Sequence, residues 1–191
     1  MITQDVNVPR EASAVNVTDD REAHSKFWVA AYTRPRSEKK AAAELSKKEI
    51  EIFVPIQKQL RKWSDRKKLV EAVIMPMIIF AYISEENIQT IKQHPLIIKI
   101  LTYPGKKTPA HIPEIQIENI KRIFNQPDTS VEYSTERFSA HDNVIVINGS
   151  LKGLIGKVKE PEGDKTSIWI AIDLLGGIIV KLKSSDLERI T

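Results

Sequence analysis

The sequence predicts an α+β chain in two parts, an antiparallel sheet flanked by helices followed by a small all-β barrel. Three observations carry this. Residues 27–125 alternate strand-like runs with helical stretches. Residues 126–137 (QPDTSVEYSTER) are polar, proline-punctuated and without period. Beyond them come only short strands separated by turn signals. The expected division is a disordered leader over 1–26, a first domain over 27–125, a linker over 126–137 and a barrel over 138–191.

Each element follows from local chemistry. Phe27-Trp28-Val29-Ala30-Ala31-Tyr32 is the aromatic, β-branched run of a strand. Pro35 suits a first helical position, and the Ala-, Glu- and Lys-rich stretch to about Lys48 reads as helix. Ile52, Val54 and Ile56 alternate with Phe53 and Gln57 as a strand. The basic residues 57–71 form a hairpin arm leading into a strand over Val73–Ile83, apolar on both faces and therefore covered on both. Ser84-Glu85-Glu86 starts a helix to about His94, stopped by Pro95. A strand over Leu96–Leu101, a turn at Pro104-Gly105 and an amphipathic helix opened by Pro113, with Ile117, Ile120 and Phe124 on one side, complete the first part. In the second part, strands are expected at 143–148, 154–160, 167–174 and 177–183, with a short closing piece near Leu187. Turns fall at Asn148-Gly149, Glu162-Gly163-Asp164 and Gly176-Gly177. Strands this short and this numerous suggest a closed barrel, which removes sheet edges.

Composition excludes several function classes. With 41% hydrophobic and 28% charged residues, the chain matches an ordinary soluble globular protein. It has no cysteine, so disulfides, thiolate catalysis and cysteine-held metals are excluded. The acidic leader resembles no signal peptide, and no run approaches the ~18 apolar residues of a membrane helix. A cytoplasmic, membrane-free protein is expected. The four histidines, His24, His94, His111 and His141, share no ligand spacing, and no phosphate loop or nucleophile elbow is present. No catalytic residue, no metal site and no cofactor are expected, and Glu85-Glu86 is read as an acidic first helical turn. The chain is not read as an enzyme.

Charge is more informative. Residues 34–68 hold twelve Lys/Arg against five acids, a local +7 in a chain whose net charge is +4. A concentration of this kind favours a polyanionic partner, although a solvated face accounts for it equally well. Arg34 and Arg36 flank the expected helix start, where backbone N–H groups are free to bind phosphate. Trp63 stands among Arg61, Lys62, Arg66, Lys67 and Lys68. It suits stacking on an unpaired base, or equally a hydrophobic anchor for the hairpin. Two methionines and a proline in Val73–Phe80 suit a protein partner as well as a core strand.

Five motifs in order make the chain resemble the NusG/Spt5 family. They are Trp28–Tyr32 with Glu38-Lys39-Lys40; Phe53-Val54-Pro55; Met75-Pro76-Met77-Ile78-Ile79-Phe80; Pro109–Pro113 before the last helix; and Asp142–Val158, similar to the KOW motif. The resemblance implies an N-terminal NGN-like domain followed by a KOW (SH3-like) barrel, across residues 27–191. Met77 and Ile78 stand where the general factor has Gly and Tyr, so the chain resembles the specialised RfaH and UpxY paralogues, antiterminators of long operons such as those for capsular or exopolysaccharide. An RfaH-like refolding of the barrel into helices is not expected, since Val, Ile and Gly dominate its strands.

The partners implied are RNA polymerase, through its β′ clamp helices and β lobe, non-template DNA, and a second protein through the barrel; the chain is expected to be a monomer. Trp28, Tyr32, Met75, Pro76 and Ile78 would line the clamp-helix surface, and Gln89 and Thr90 would touch the β gate loop. Arg34, Arg36, Lys39, Lys40 and the hairpin cations would face the non-template strand. The alternative is a ribosomal or RNA-binding KOW protein.

Overall fold

The computed structural model describes residues 25–62, 66–127, 129–136 and 142–190. The leader predicted over 1–26 falls outside these except for its last two residues.

β1 (Phe27–Thr33) is the centre of an antiparallel sheet. It pairs on one side with β5 (Ile78–Ile83) and on the other with β6 (Ile97–Ile100), and β2 (Glu51–Phe53) adds to the far edge of β5. Side chains alternate across a strand, so β1 and β5 present two apolar sets. Val29, Ala31, Ile79, Ala81 and Ile83 pack with Ala41 and Leu45 of α1 (Glu38–Ser46) and Ile91 of α2 (Asn87–Lys92). Trp28, Ala30, Ile78 and Phe80 join a cluster with Ile117, Ile120, Ile123 and Phe124 of α3 (Glu114–Phe124). Helices on both faces are why these strands read as continuously apolar.

Local chemistry moves three expected boundaries. Pro35 does not open α1. It sits in a turn closed by Ser37 N–H to Arg34 C=O (3.1 Å), and Arg36 adopts φ 58°, which no helix tolerates, so α1 waits for Glu38. The strand expected through Ile52–Ile56 breaks at Pro55, which has no N–H for a ladder. The Ile56 N–H instead turns back on Val54 C=O (2.8 Å), an i to i+2 turn. Thereafter β3 (Ile56–Lys62) and β4 (Lys67–Val73) form the separate two-stranded hairpin expected as a long arm. The strand expected over Val73–Ile83 is also broken. Met77 takes φ 61°, and the buried Glu38 carboxylate accepts its N–H at 2.7 Å, fixing a turn between β4 and β5. The Pro104-Gly105 turn is where the sequence puts it, closed by Lys106 N–H to Tyr103 C=O (3.0 Å) with Gly105 at φ 73°.

The second part is one sheet in the order β12-β8-β9-β10-β11-β7. Its members are β7 (Val131–Ser134), β8 (Asn143–Val146), β9 (Ile155–Glu162), β10 (Lys165–Ile172), β11 (Gly176–Lys183) and β12 (Leu187–Ile190). Two expectations change here. The described strand pairs leave β7 and β12 as edges rather than closing a ring. And the segment read as a linker supplies β7, paired with β11 from Gly177↔Ser134 to Val180↔Val131. Gly176 permits this approach: at φ 95°, a Cβ on it would lie 2.3 Å from the Ser134 carbonyl oxygen. Gly176-Gly177 is therefore in β11, and the reversal lies just before it at Asp173–Leu175, with Leu174 at φ 64°. Residues 137–141, at the expected start of the barrel, lie outside the described residues.

Candidate functional site

One end of the first sheet gathers Tyr32, Met75, Pro76 and Ile78 with Arg34, Arg36 and Lys40, while Trp28 lies toward the other end of β1. The register puts Tyr32 opposite Ile78, and the Thr33 N–H donates to Met77 C=O at 2.8 Å. Met75, Pro76 and Ile78 therefore converge on the end of β1. Arg34 follows at once, its N–H held by Leu96 C=O (2.9 Å), so Arg34, Arg36 and Lys40 stand exposed beside this apolar group.

The hairpin rises from the same end. It is anchored by Gln57, fully buried, whose Nε2 donates to the carbonyls of Gln126 and Thr129 (2.8 Å each) while its Oε1 accepts from Gln59 (3.0 Å). A buried amide satisfied at both ends fixes the hairpin to the chain leaving α3. Lys39 bridges from α1 to Glu71 of β4 at 2.5 Å, and this contact holds the Glu71 carboxyl below the usual carboxylate range. Lys39 is thus partly committed to the fold. Arg66 and Lys68 are exposed on the hairpin. Trp63, and the side chains of Arg61, Lys62 and Lys67, lie outside what the structure describes.

The apolar residues are not free. Trp28 (4% exposed), Met75 (0%) and Ile78 (2%) are buried, whereas Tyr32 is half-buried and Pro76 exposed. Trp28 lies against Tyr82 (5.2 Å between ring centroids), and Lys121 of α3 stands 4.7 Å above its ring. The same cluster continues without a break into Val144, Val146, Leu151, Leu154 and Ile168 of the second part, so both parts share one core in this conformation.

Three hydrogen bonds cross from α3. Arg122 Nη2 donates to Ser150 C=O (3.0 Å) and Lys152 C=O (2.8 Å), and the Asp173 N–H donates to Gln116 Oε1 (3.0 Å). From β7, the Tyr133 hydroxyl donates to Leu175 C=O (2.7 Å). Burial first, then the neighbouring Tyr32, pushes its pKa up to about 12. Sequence reasoning missed Arg122, Gln116, Tyr133 and Gln57. Nothing in the amphipathic pattern of α3 distinguishes a polar residue facing solvent from one facing a second unit.

Gln89 and Thr90 sit on α2, which covers the opposite face from Trp28 and Ala30. They do not join the Tyr32–Ile78 group. Between them and β6, His94 is buried: its Nδ1 accepts the Leu96 N–H (3.2 Å), so Nε2 carries the proton facing Glu44 Oε2 at 3.1 Å. It is a structural histidine. Among the described residues no cluster of His, Asp and Glu could hold a metal, and no helix is long and apolar enough to cross a membrane.

Comparison with known proteins gives this arrangement its relatives. A solved structure described as "Domain interaction in Thermotoga maritima NusG" aligns over 88% of this chain and 99% of its own, at 19% identity and a TM-score of 0.53. The Spt4:Spt5 complex described as "MjSpt4:Spt5", conformation A, aligns over 86% of this chain and 97–99% of its own across its two conformations, at 16–17% identity, with TM-scores of only 0.26–0.27. The first shows that the fold is NusG-like. Residues 26–121, half of the chain and the whole first sheet with α1, α2 and most of α3, match the family described as "Transcription termination factor nusG". The chain belongs to the NusG family, a family of non-enzymatic transcription factors.

Proposed function

We propose that this protein is an elongation and antitermination factor that docks through Tyr32, Met75, Pro76 and Ile78 on the β′ clamp helices of RNA polymerase. Arg34, Arg36, Lys40 and the hairpin face the non-template DNA, and the specialised, RfaH/UpxY-like role is processive transcription of a capsular or exopolysaccharide operon. The second part is the KOW-type unit that recruits a further protein. The observation carrying this is the shared sheet end, where an apolar group opposite Tyr32 is flanked by exposed cations that no core requires. Closing a clamp around nucleic acid needs no chemistry. It needs only tighter binding to the elongating state than to the paused one.

In the conformation described, Met75 and Ile78 are buried in the shared core while Tyr32 is half-buried and Pro76 exposed, so engaging the whole group requires the two parts to separate. Burial also decides the variants that test the reading. A charge at Met75 or Ile78 would unfold the domain. Tyr32→Ala and Pro76→Glu alter the rim without placing a charge in the core. Polymerase pull-down from purified components should be weakened at least tenfold by the pair, with circular dichroism unchanged. Unaltered binding of a folded pair would remove this sheet end from the docking surface.

A further inference from the structure

A cleft lies at the other end of the same sheet. The antiparallel register sets Phe27 opposite Ile83, a full strand away from Tyr32↔Ile78. There, α2 and the loop after β6 enclose about 620 Å3, lined by Phe27, Gln89, Lys92, Tyr103, Lys106 and His111 among others. That is room for a nucleotide.

Three features give the cleft a chemistry. Lys92, Lys106 and the neighbouring Lys107 are exposed, and among the described residues no carboxylate lies within ion-pair distance of any of them. Glu85 is the one carboxylate among the lining residues. The aromatic rings are presented rather than buried. His111 stacks on Phe27 at 3.8 Å with an interplanar angle of 18°, leaving its outer face exposed. Tyr103 is 38% exposed, oriented by its hydroxyl donating to His111 C=O (3.3 Å), with Lys106 5.9 Å from its ring centroid. The Tyr103-Pro104-Gly105-Lys106 turn holds both groups on one short, stiff loop.

We propose that this cleft is a second single-stranded nucleic-acid site, in which a base stacks on Tyr103 or on the Phe27–His111 pair and Lys92, Lys106 and Lys107 hold the flanking phosphates. Unpaired cations interleaved with open aromatic faces are the equipment of single-strand binding. The site uses none of the residues of the Tyr32 end, and its lining includes Gln89, which the family resemblance assigns to the β gate loop. It gives one protein two strand-binding ends, set apart by the length of β1.

The test uses the full chain and labelled oligothymidine and oligouridine, read by fluorescence anisotropy and by mapping photo-crosslinks from iodouridine-substituted strands. Tyr103→Ala should weaken binding roughly 5- to 150-fold, the range of one lost base stack. Tyr103→Phe, which keeps the ring, should retain it. Lys106→Gln with Lys107→Gln should flatten the salt dependence by roughly 1.4 log units per log unit of salt, at about 0.7 for each phosphate contact to a single strand. Crosslinks should fall in residues 103–111. Tyr103, Lys106 and Lys107 are exposed, so the variants should melt like the parent.

If Tyr103→Ala binds like the parent, or only the lysine pair matters, the cleft is a diffuse cationic surface and the proposal fails. If polyglutamate binds with Tyr103 dependence while the oligonucleotides do not, the cleft belongs to an acidic protein partner and the proposal also fails.

Discussion

Removing the α3 clasp should open the molecule. Arg122→Ala deletes two charge-assisted hydrogen bonds, to Ser150 and Lys152, and Gln116→Ala deletes the acceptor of Asp173. Hydrogen bonds from a charged donor contribute about 1.5–3 kcal/mol each when shielded, and less in the exposed setting of Arg122. Taking about 1 kcal/mol for each of the three bonds, the double variant should favour separation by roughly 2–3 kcal/mol, or roughly 30- to 150-fold. The apolar core between the parts is untouched, so the closed form should still dominate. Hydrogen–deuterium exchange should then rise by that factor in the 149–153 loop and on α3, while β1 and β5 keep their protection. Apparent affinity for polymerase should rise in parallel, because it scales with the fraction of competent molecules. Arg189→Ala is the control. Its pairing with Asp142 (3.4 Å) lies within the second part on the surface, and its loss should change little. Exchange that stays flat would show that the clasp does not hold the parts together. Exchange that rises equally in β1 and β5 would mean global destabilisation instead of opening.

Two further outcomes follow from backbone and titration. Met77→Gly should be more stable than Met77→Ala by about 1 kcal/mol, since both delete the side chain but only glycine relieves φ 61°; a thermal melt favouring alanine would refute the left-handed turn. Tyr133 is neutral and donating in the folded chain with its pKa raised from 10.0 to about 12, so its contribution is complete below pH 10 and lost as pH rises toward 12. Denaturant midpoints should fall more steeply over that interval in the parent than in Tyr133→Phe, and identical slopes would mean that the hydroxyl is solvated.

Much of the fold was legible because periodicity reports burial. The two-sided apolar character of the strand expected over Val73–Ile83 anticipated cover on both faces of the sheet, and Ile117, Ile120 and Phe124 marked the inner side of α3. The turns at Gly105, Gly149 and Gly163, all with positive φ, were marked by glycine itself. Illegible features had partners far away in sequence. Met77 has no local signature of a left-handed turn, because what fixes it is the Glu38 carboxylate contributed by α1. Residues 131–134 are polar enough to read as linker. They become a strand because β11 offers an open edge and Gly176 lets the chain come close. Single-sequence patterns contain half of such a pair and do not identify the other half.

On the proposed docking, the run Met75–Phe80 is core in one state and interface in another. Ile79 belongs to the face under α1 and α2, whereas Ile78 and Phe80 belong to the face shared with α3 and the second part. A surface that must be buried against its own chain in one state and against a partner in another is selected for apolarity in both, so its composition converges on that of a core. Polar edges are what remain to distinguish the two. A permanent core has no use for Arg122 and Gln116 at its boundary, where three hydrogen bonds to water-accessible backbone can exchange for water at small net cost. Such a boundary lets the apolar face be covered without being locked. On that argument, replacing Arg122 and Gln116 by leucine should hold the parts together by apolar contact instead and lower polymerase binding below that of the parent, the opposite of the alanine pair. If the leucine pair also raises binding, the polar boundary acts by something other than release.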